Sequence, residues 1–467
     1  MLEYPVSVQF LYILAAALFV LSIKWMSEAR TSRRGNHAGA LGMALAIVAT
    51  LMAFEVPRAD LLVVALILGA FIGVPIALRL PMTAVPERTA ASHAFGSLAV
   101  ALVGTAHYYE LHHVLGADID AFTMTVLSAE MILGYLTFTG SCLAFLKLQE
   151  VVSGRPLVYP GRNLVSLGVL GGALAMAAVL VWDPSQTWAI PPLIVFSLIF
   201  GGLLVMGIGG ADMPTVIAIL NAYAGLAAAG LGFVLDNKLL IVAGALDGAS
   251  GFILAIVMCH AMNRSFTNVL FGGLGATAVA KSTAEERTVQ SYTPEDVATI
   301  LENARSVVIA PGYGLAVAQA QHAVKELETA LEAKGMDVKY AIHPVAGRMP
   351  GQMNVLLAEA HVEYDKLWEM DDINPQFGET DVAIVIGAND VTNPAAKTDP
   401  DSPLYGMPVL DVDRARTVIF IKRSLSPGFA GVDNELFFAP NTMMVFGSAK
   451  KVVTELTTSV KGGATRV

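Results

Sequence analysis

The sequence predicts two fold classes in one chain. The first is a multi-spanning α-helical membrane bundle of about nine helices over residues 1–264, and the second a soluble α/β doubly wound parallel-sheet (Rossmann-like) domain over 293–467, with a linker at 265–292. Three observations lead there. The 467 residues are 55% hydrophobic and only 15% charged, with mean hydropathy +0.61, which is too apolar for an ordinary soluble protein of this length. Apolar residues dominate up to about Cys259, whereas Asp, Glu and Lys become frequent after Lys281. Beyond that point short apolar runs alternate with helical ones, the pattern of strands joined by crossover helices.

A spanning helix needs about 20 apolar residues. Nine stretches qualify: 5–26, 38–54, 60–80, 89–109, 121–146, 164–182, 191–209, 214–235 and 238–260. The start lacks the basic region and cleavage site of a secretory signal, so the first stretch reads as a span. Lys24 to Arg34, Arg79 to Arg88, Lys147 to Arg162 and Arg264 make one set of loops basic, while the alternate loops around Glu55, Asp118 to Asp120, Asp183 and Asp236 are short or acidic. The positive-inside rule then places the N-terminus outside and residues after 262 in the cytoplasm. A net charge of −10 gives no reason to expect nucleic acid. Cys142 and Cys259 fall inside apolar segments, where two thiols make neither a disulfide framework nor a metal site.

Polar groups within the spans carry the functional signal, because an ionisable side chain in a bilayer is costly unless paired or wet. His93 lies about two turns into the fourth span and Asn221 about two turns into the eighth, each from its cytoplasmic end, so both sit roughly 10 Å deep and can meet. A histidine that titrates near neutrality beside an amide that orients it suits a proton relay; the alternative is a hydrogen bond across a helix interface. Glu130 and Asp247 are the other deep carboxylates, and each either lines a water-filled path or is held neutral in the bundle. Asp212, before Met213-Pro214, is placed to cap the eighth helix. Small residues such as Gly201-Gly202 and Gly244 to Gly251 imply close helix packing.

From Gly272 to about Tyr292 the composition suits a tether. Thr293-Pro-Glu-Asp296 is a helix start. Strand runs at Ser306–Ala310, Val338–Ile342, Val382–Ile386, Thr417–Lys422 and Met443–Phe446 alternate with helices at 314–334, 351–361 and 448–460. In such sheets ligands bind beyond the strand carboxyl ends, and each end carries an unusual loop. The first run enters Gly312-Tyr313-Gly314-Leu315-Ala316-Val317, a glycine pair aimed at a pyrophosphate but without the third glycine of the fingerprint. The second enters His343 to Gly351, bringing Gly347, Arg348, Met349 and Pro350; the third Gly387-Ala388-Asn389-Asp390; the fourth Lys422-Arg423-Ser424. An NAD site normally has an acid at the end of its second strand. Here that acid is missing and Lys, Arg and Ser cluster elsewhere, which suits a 2′-phosphate; the alternative is a solvated strand exit. Gly428-Phe429-Ala430-Gly431 lies in a stretch flexible enough for a lid, or for an ordinary surface loop.

These motifs, together with His343-Pro-Val-Ala-Gly-Arg-Met-Pro-Gly-Gln-Met-Asn354, Gly209-Gly-Ala-Asp-Met-Pro214 and Ala261-Met-Asn-Arg-Ser-Phe266, resemble the β subunit of bacterial proton-translocating NAD(P) transhydrogenase along essentially the whole chain. The resemblance implies an inner-membrane enzyme subunit that binds NADP(H) in its cytoplasmic domain. The partner it implies is an α subunit carrying the NAD(H) domain, in an α2β2 complex with AB (Si to Re) hydride transfer. It further implies that His93 and Asn221 serve proton passage and Asp390 coupling, with the residues of the strand-end loops holding the cofactor. Asp247 departs from the pattern, which has an uncharged residue there. The rival from another class is an NADP(H)-gated ion channel or transporter without hydride chemistry.

Overall fold

The computed structural model describes residues 5–28, 31–53, 58–79, 84–116, 119–149, 151–153, 156–157, 159–209, 212–263, 265–266, 269, 289–349, 351–402, 404–428 and 430–462. It divides into two compact units, Met1–Ile256 with Val269–Gly273 and Val257–Asn268 with Leu274–Val467. Most of the linker at 265–292, with Pro350 and Phe429, lies outside the described residues.

Among the described residues nine helices are long and apolar enough to cross a membrane: α1 (Val6–Met26), α2 (Ser32–Ala53), α3 (Ala59–Arg79), α4 (Val85–Tyr109), α5 (Ala121–Leu148), α6 (Arg162–Trp182), α7 (Ile190–Met206), α8 (Met213–Val234) and α9 (Lys238–Ala261). The second begins six residues before the apolar run expected at 38. Its polar first turn is held against α1, where Ser22 Oγ donates to Gly35 O at 2.8 Å. Helix α4 ends in a π-helical turn, Glu110–Val114. Asp120 caps α5 by accepting from Phe122 N and Thr123 N at 3.0 and 3.2 Å. Asp212 does not play the same part for α8. Its side chain makes no capping hydrogen bond to that helix, whose first turn carries Pro214, already without an N–H.

Helix packing follows the small residues. A Cβ on Gly225 of α8 would stand 2.6 Å from Cα of Gly248 of α9, and one on Gly134 of α5 2.8 Å from Cβ of Ala101 of α4. Lys147 closes the end of α7, donating from Nζ to Val205 O, Met206 O and Ile208 O at 3.1, 3.3 and 2.8 Å.

The second unit is built on six parallel strands, β1 (Ser306–Pro311), β2 (Asp337–Ile342), β3 (Leu367–Glu369), β4 (Val382–Ile386), β5 (Thr417–Lys422) and β6 (Thr442–Phe446). Their order is β3-β2-β1-β4-β5-β6. Strand β4 is buried along its whole length, as expected of a central parallel strand covered on both faces, and apolar clusters fill each side. Thr293 and Asp296 form a capping box that starts the helix Pro294–Leu301.

Two elements differ from expectation. The helix read at 314–334 is two helices, Tyr313–Val317 and Gln321–Glu332, broken where Gln319 turns to φ 48°. Strand β3 was not foreseen, since a three-residue edge strand is too short to leave a period in the sequence.

Candidate functional site

The strand order reverses between β1 and β4, and at such a switch point the loops beyond the two strands part to leave a crevice. Gly312 and Gly314 sit on one side and Gly387 and Ala388 on the other. A Cβ on Gly314 would stand 2.7 Å from Cα of Gly387, so the glycines exist here to let two backbones touch. Their amides are already used, Gly312 N donating to Ile386 O and Gly314 N to Gly387 O, both at 2.9 Å. The pair therefore shapes the crevice floor instead of presenting its own N–H groups. Leu315 and Ala316 are buried behind it, and Val317 is 48% exposed.

At the end of β2 the residue standing where an acid would be expected is His343, only 1% exposed. Its Nε2 donates to Pro408 O at 2.8 Å and its Nδ1 accepts from Val345 N at 3.2 Å, which fixes one neutral tautomer. Burial pushes the imidazole down to about 4. His343 thus pins two loops and offers nothing to a ligand. Arg348, five residues on, lies with its guanidinium 4.4 Å from the centre of the Tyr313 ring, and its backbone N–H donates to Gln352 Oε1 at 2.6 Å. Gly347 takes φ 123°, and Met349 is half-buried beside them.

The ends of β4 and β5 are tied by polar side chains. Asp390 Oδ2 accepts from Ala430 N at 3.0 Å, and a Cβ on Gly428 would run into the same carboxylate, so Asp390 holds the 426–431 loop from beneath. Lys422 turns into that loop, its Nζ donating to Ser426 O at 2.6 Å over the Phe437 ring at 4.6 Å. Burial brings this ammonium down to about 8, against the opposing pull of Asp390 and Asp433. Oriented with its oxygen towards them, the Asn389 amide accepts from Lys422 Nζ at 3.2 Å and Gly428 N at 2.5 Å. Arg423 and Ser424 remain exposed outside the loop, with Ser424 Oγ 2.9 Å from Ser426 Oγ, and Gly431 is exposed at its far end with φ 70°. The Lys-Arg-Ser run is therefore split, Lys422 fastening the loop and its two neighbours facing out.

Sequence reasoning missed two buried asparagines that complete this frame. Asn434 Nδ2 donates to Asn389 O at 3.1 Å, and Asn393 Nδ2 to Asp433 O at 3.1 Å. Both are fully buried. Their partners lie about forty residues away in sequence, so only an amide in an apolar setting hinted at them.

In the bundle, Asn221 of α8 donates from Nδ2 to Asp247 Oδ1 of α9 at 3.2 Å, and the Asp247 carboxylate lies within electrostatic reach of the His93 ring on α4. Two spans thus join one predicted relay residue, Asn221, to the carboxylate that departs from the resembled pattern, and the other, His93, feels that carboxylate electrostatically from α4. Close approach makes this possible, since a Cβ on Gly251 would stand 2.8 Å from Asn221 Nδ2.

Nine apolar helices among the described residues, followed by a parallel sheet with open loops at its switch point, define a membrane protein of dinucleotide-binding architecture. A family profile described as NAD(P) transhydrogenase beta subunit matches residues 8–459. Two Rhodospirillum rubrum proteins named NAD(P) transhydrogenase subunit beta, one from a defined strain, are each 48% identical to it over 451 residues, which is 95% of this chain and 97% of theirs. The chain belongs to the NAD(P) transhydrogenase beta-subunit family.

Proposed function

We propose that this chain is the NADP(H)-binding, proton-translocating subunit of a transhydrogenase, acting in a bacterial inner membrane with its N-terminus outside and its sheet domain in the cytoplasm. An α subunit supplies the NAD(H) domain, in an α2β2 complex. The observation that carries the proton-linked reading is the Asn221–Asp247 hydrogen bond between α8 and α9, with the His93 ring of α4 within electrostatic reach of that carboxylate. A titratable ring, a carboxylate and an orienting amide are the groups a proton relay needs, and they would be costly to keep in a membrane for packing alone.

The domain's residues fit a phosphorylated dinucleotide. With His343 buried and neutral, no acid repels a 2′-phosphate from the end of β2, while Arg423 and Ser424 present exposed donors at the end of β5. The floor of Gly312, Gly314, Gly387 and Ala388 lets a pyrophosphate approach closely, flanked by Arg348 and Tyr313. The 426–431 loop, held by Asp390, Asn389 and Lys422, acts as the cover, with Gly428, Ala430 and Gly431 giving it room to move. When bound, the two nicotinamide rings supply the covalent chemistry, a direct AB-specific hydride transfer, and the protein positions, excludes water and switches.

Proton movement drives the transfer towards NADPH. One proton crossing about 200 mV releases roughly 4.6 kcal/mol, enough to displace an equilibrium by about three powers of ten. Protonation near His93 changes NADP(H) affinity through the cover loop, and by linkage NADP(H) binding changes proton affinity by the same factor. The test is the complex with its α subunit in liposomes. Proton uptake that accompanies hydride transfer from NADPH to an NAD analogue supports the proposal, and ion flux opened by NADPH with no turnover would replace it with a gated channel.

A further inference from the structure

We infer that Glu130 is a second proton-binding residue of the bundle, in the half away from His93; this rests on the proton-translocating reading above. Glu130 lies on α5 and is 1% exposed, and neither of its carboxyl oxygens has a hydrogen-bond partner among the described residues. Its place is made by missing side chains. A Cβ on Gly104 of α4 would overlap the carboxyl, and one on Gly230 of α8 would touch Cβ of Glu130 at 3.4 Å.

The register of α4 and α5 says where this lies. Gly104 faces Glu130 and Ala101 faces Gly134, so the helices run antiparallel and the same register brings His93 to the level of Ser141. Eleven residues of helix separate Glu130 from that level, roughly 16 Å at 1.5 Å per residue. Residues 130, 134, 137 and 141 form one stripe of α5. Thr137 and Ser141 on that stripe are buried, and their hydroxyls have no partner among the described residues, as is true of His93 Nδ1. Other helical hydroxyls nearby satisfy themselves on the preceding turn, as Ser97 does on His93 O at 2.6 Å and Ser197 on Leu193 O at 2.7 Å. A buried polar atom left open is where a bundle takes in water. A carboxyl and two hydroxyls open along one face of α5, with an imidazole nitrogen open on α4 at the level of Ser141, make a column for water between the two titratable groups. A proton taken from the far side binds a Glu130 carboxylate oxygen, and passes to water in the column as the carboxylate is restored.

The experiment uses the whole complex in liposomes, with Glu130→Gln, Glu130→Asp and the native protein compared for hydride transfer, proton uptake and NADP(H) affinity. Glu130→Gln is expected to slow coupled proton uptake about a hundredfold with NADP(H) affinity unchanged, and Glu130→Asp to restore much of it. Native-like proton uptake in Glu130→Gln overturns the inference while leaving the function standing. Hydride transfer without proton uptake in the native complex overturns the function as well. Should Glu130→Gln fail to assemble, the carboxylic C=O infrared band assigned through its shift in Glu130→Asp decides: a band that responds to an imposed proton gradient supports the inference, and an invariant one overturns it.

Discussion

Acidification should destabilise the sheet domain through one residue. Folded His343 titrates at about 4, against 6.5 for a free imidazole, because it is buried with Nε2 committed to Pro408 O. Between those values the unfolded chain binds a proton that the folded one refuses, so stability rises with pH across the window and is lost as pH falls from 6.5 towards 4. At 1.36 kcal/mol per unit, going from pH 7 to pH 5 removes about 2 kcal/mol, and full descent through the window about 3. With a urea slope of about 2 kcal/mol per molar, that first step lowers the midpoint by about 1 M. The assay is urea unfolding of residues 289–467 followed by Trp368, the one tryptophan in that stretch. It sits on β3 beside Ala341 of β2, two residues from His343. His343→Gln should be weaker at pH 7, where the pin is imperfect, yet lose about one proton's worth less between pH 7 and 5. Equal midpoint losses in the native and variant domains would refute the reasoning.

The crevice and its cover make further predictions. Gly314→Ala should drive apart the loops after β1 and β4, costing about 1–3 kcal/mol and weakening NADP(H) binding measured by calorimetry. Gly378→Ala, where a Cβ meets nothing within 4 Å, should change neither stability nor affinity. Asp390→Ala removes the acceptor of the Ala430 amide, so hydrogen exchange at that amide should quicken by about tenfold or more; unchanged protection would show that the loop is held otherwise. The Lys422 ammonium, brought down by burial to about 8, loses its charge as pH rises through that value. NADP(H) affinity should therefore fall between pH 7 and 9 in the native protein and be weak but flat in Lys422→Met, as read by fluorescence titration.

The features that depend on local pattern were legible in the sequence. Among the described residues nine apolar runs of spanning length gave nine helices, and the apolar runs after Ser306 gave five of the six strands. What was hidden depends on contacts distant in the chain. The glycine pair at 312 and 314 read as a pyrophosphate cradle, but its amides meet carbonyls of 386 and 387, more than seventy residues on. His343 read as a missing acid, and its tie to Pro408 could not be seen from position 343 alone. Lys422, Arg423 and Ser424 read as a unit, yet β5 ends at Lys422, whose Nζ is drawn under the loop by Ser426 O, while Arg423 and Ser424 follow in the exposed bend. The break at Gln319 is a left-handed residue inside an alanine-rich run whose composition is helical throughout. Asp247, at odds with the resembled pattern, accepts from Asn221 Nδ2 at 3.2 Å, a partner 26 residues away that its own position did not reveal.

The proposed coupling of proton movement through the bundle to the nicotinamide site is tested most directly by the position of hydride-transfer equilibrium under an imposed proton gradient. In liposomes holding the complex, a gradient of about 200 mV should move the equilibrium towards NADPH by up to about three powers of ten, and with His93→Ala it should not move. An equilibrium in the native complex that ignores the gradient, or one that still follows it without His93, would contradict the account.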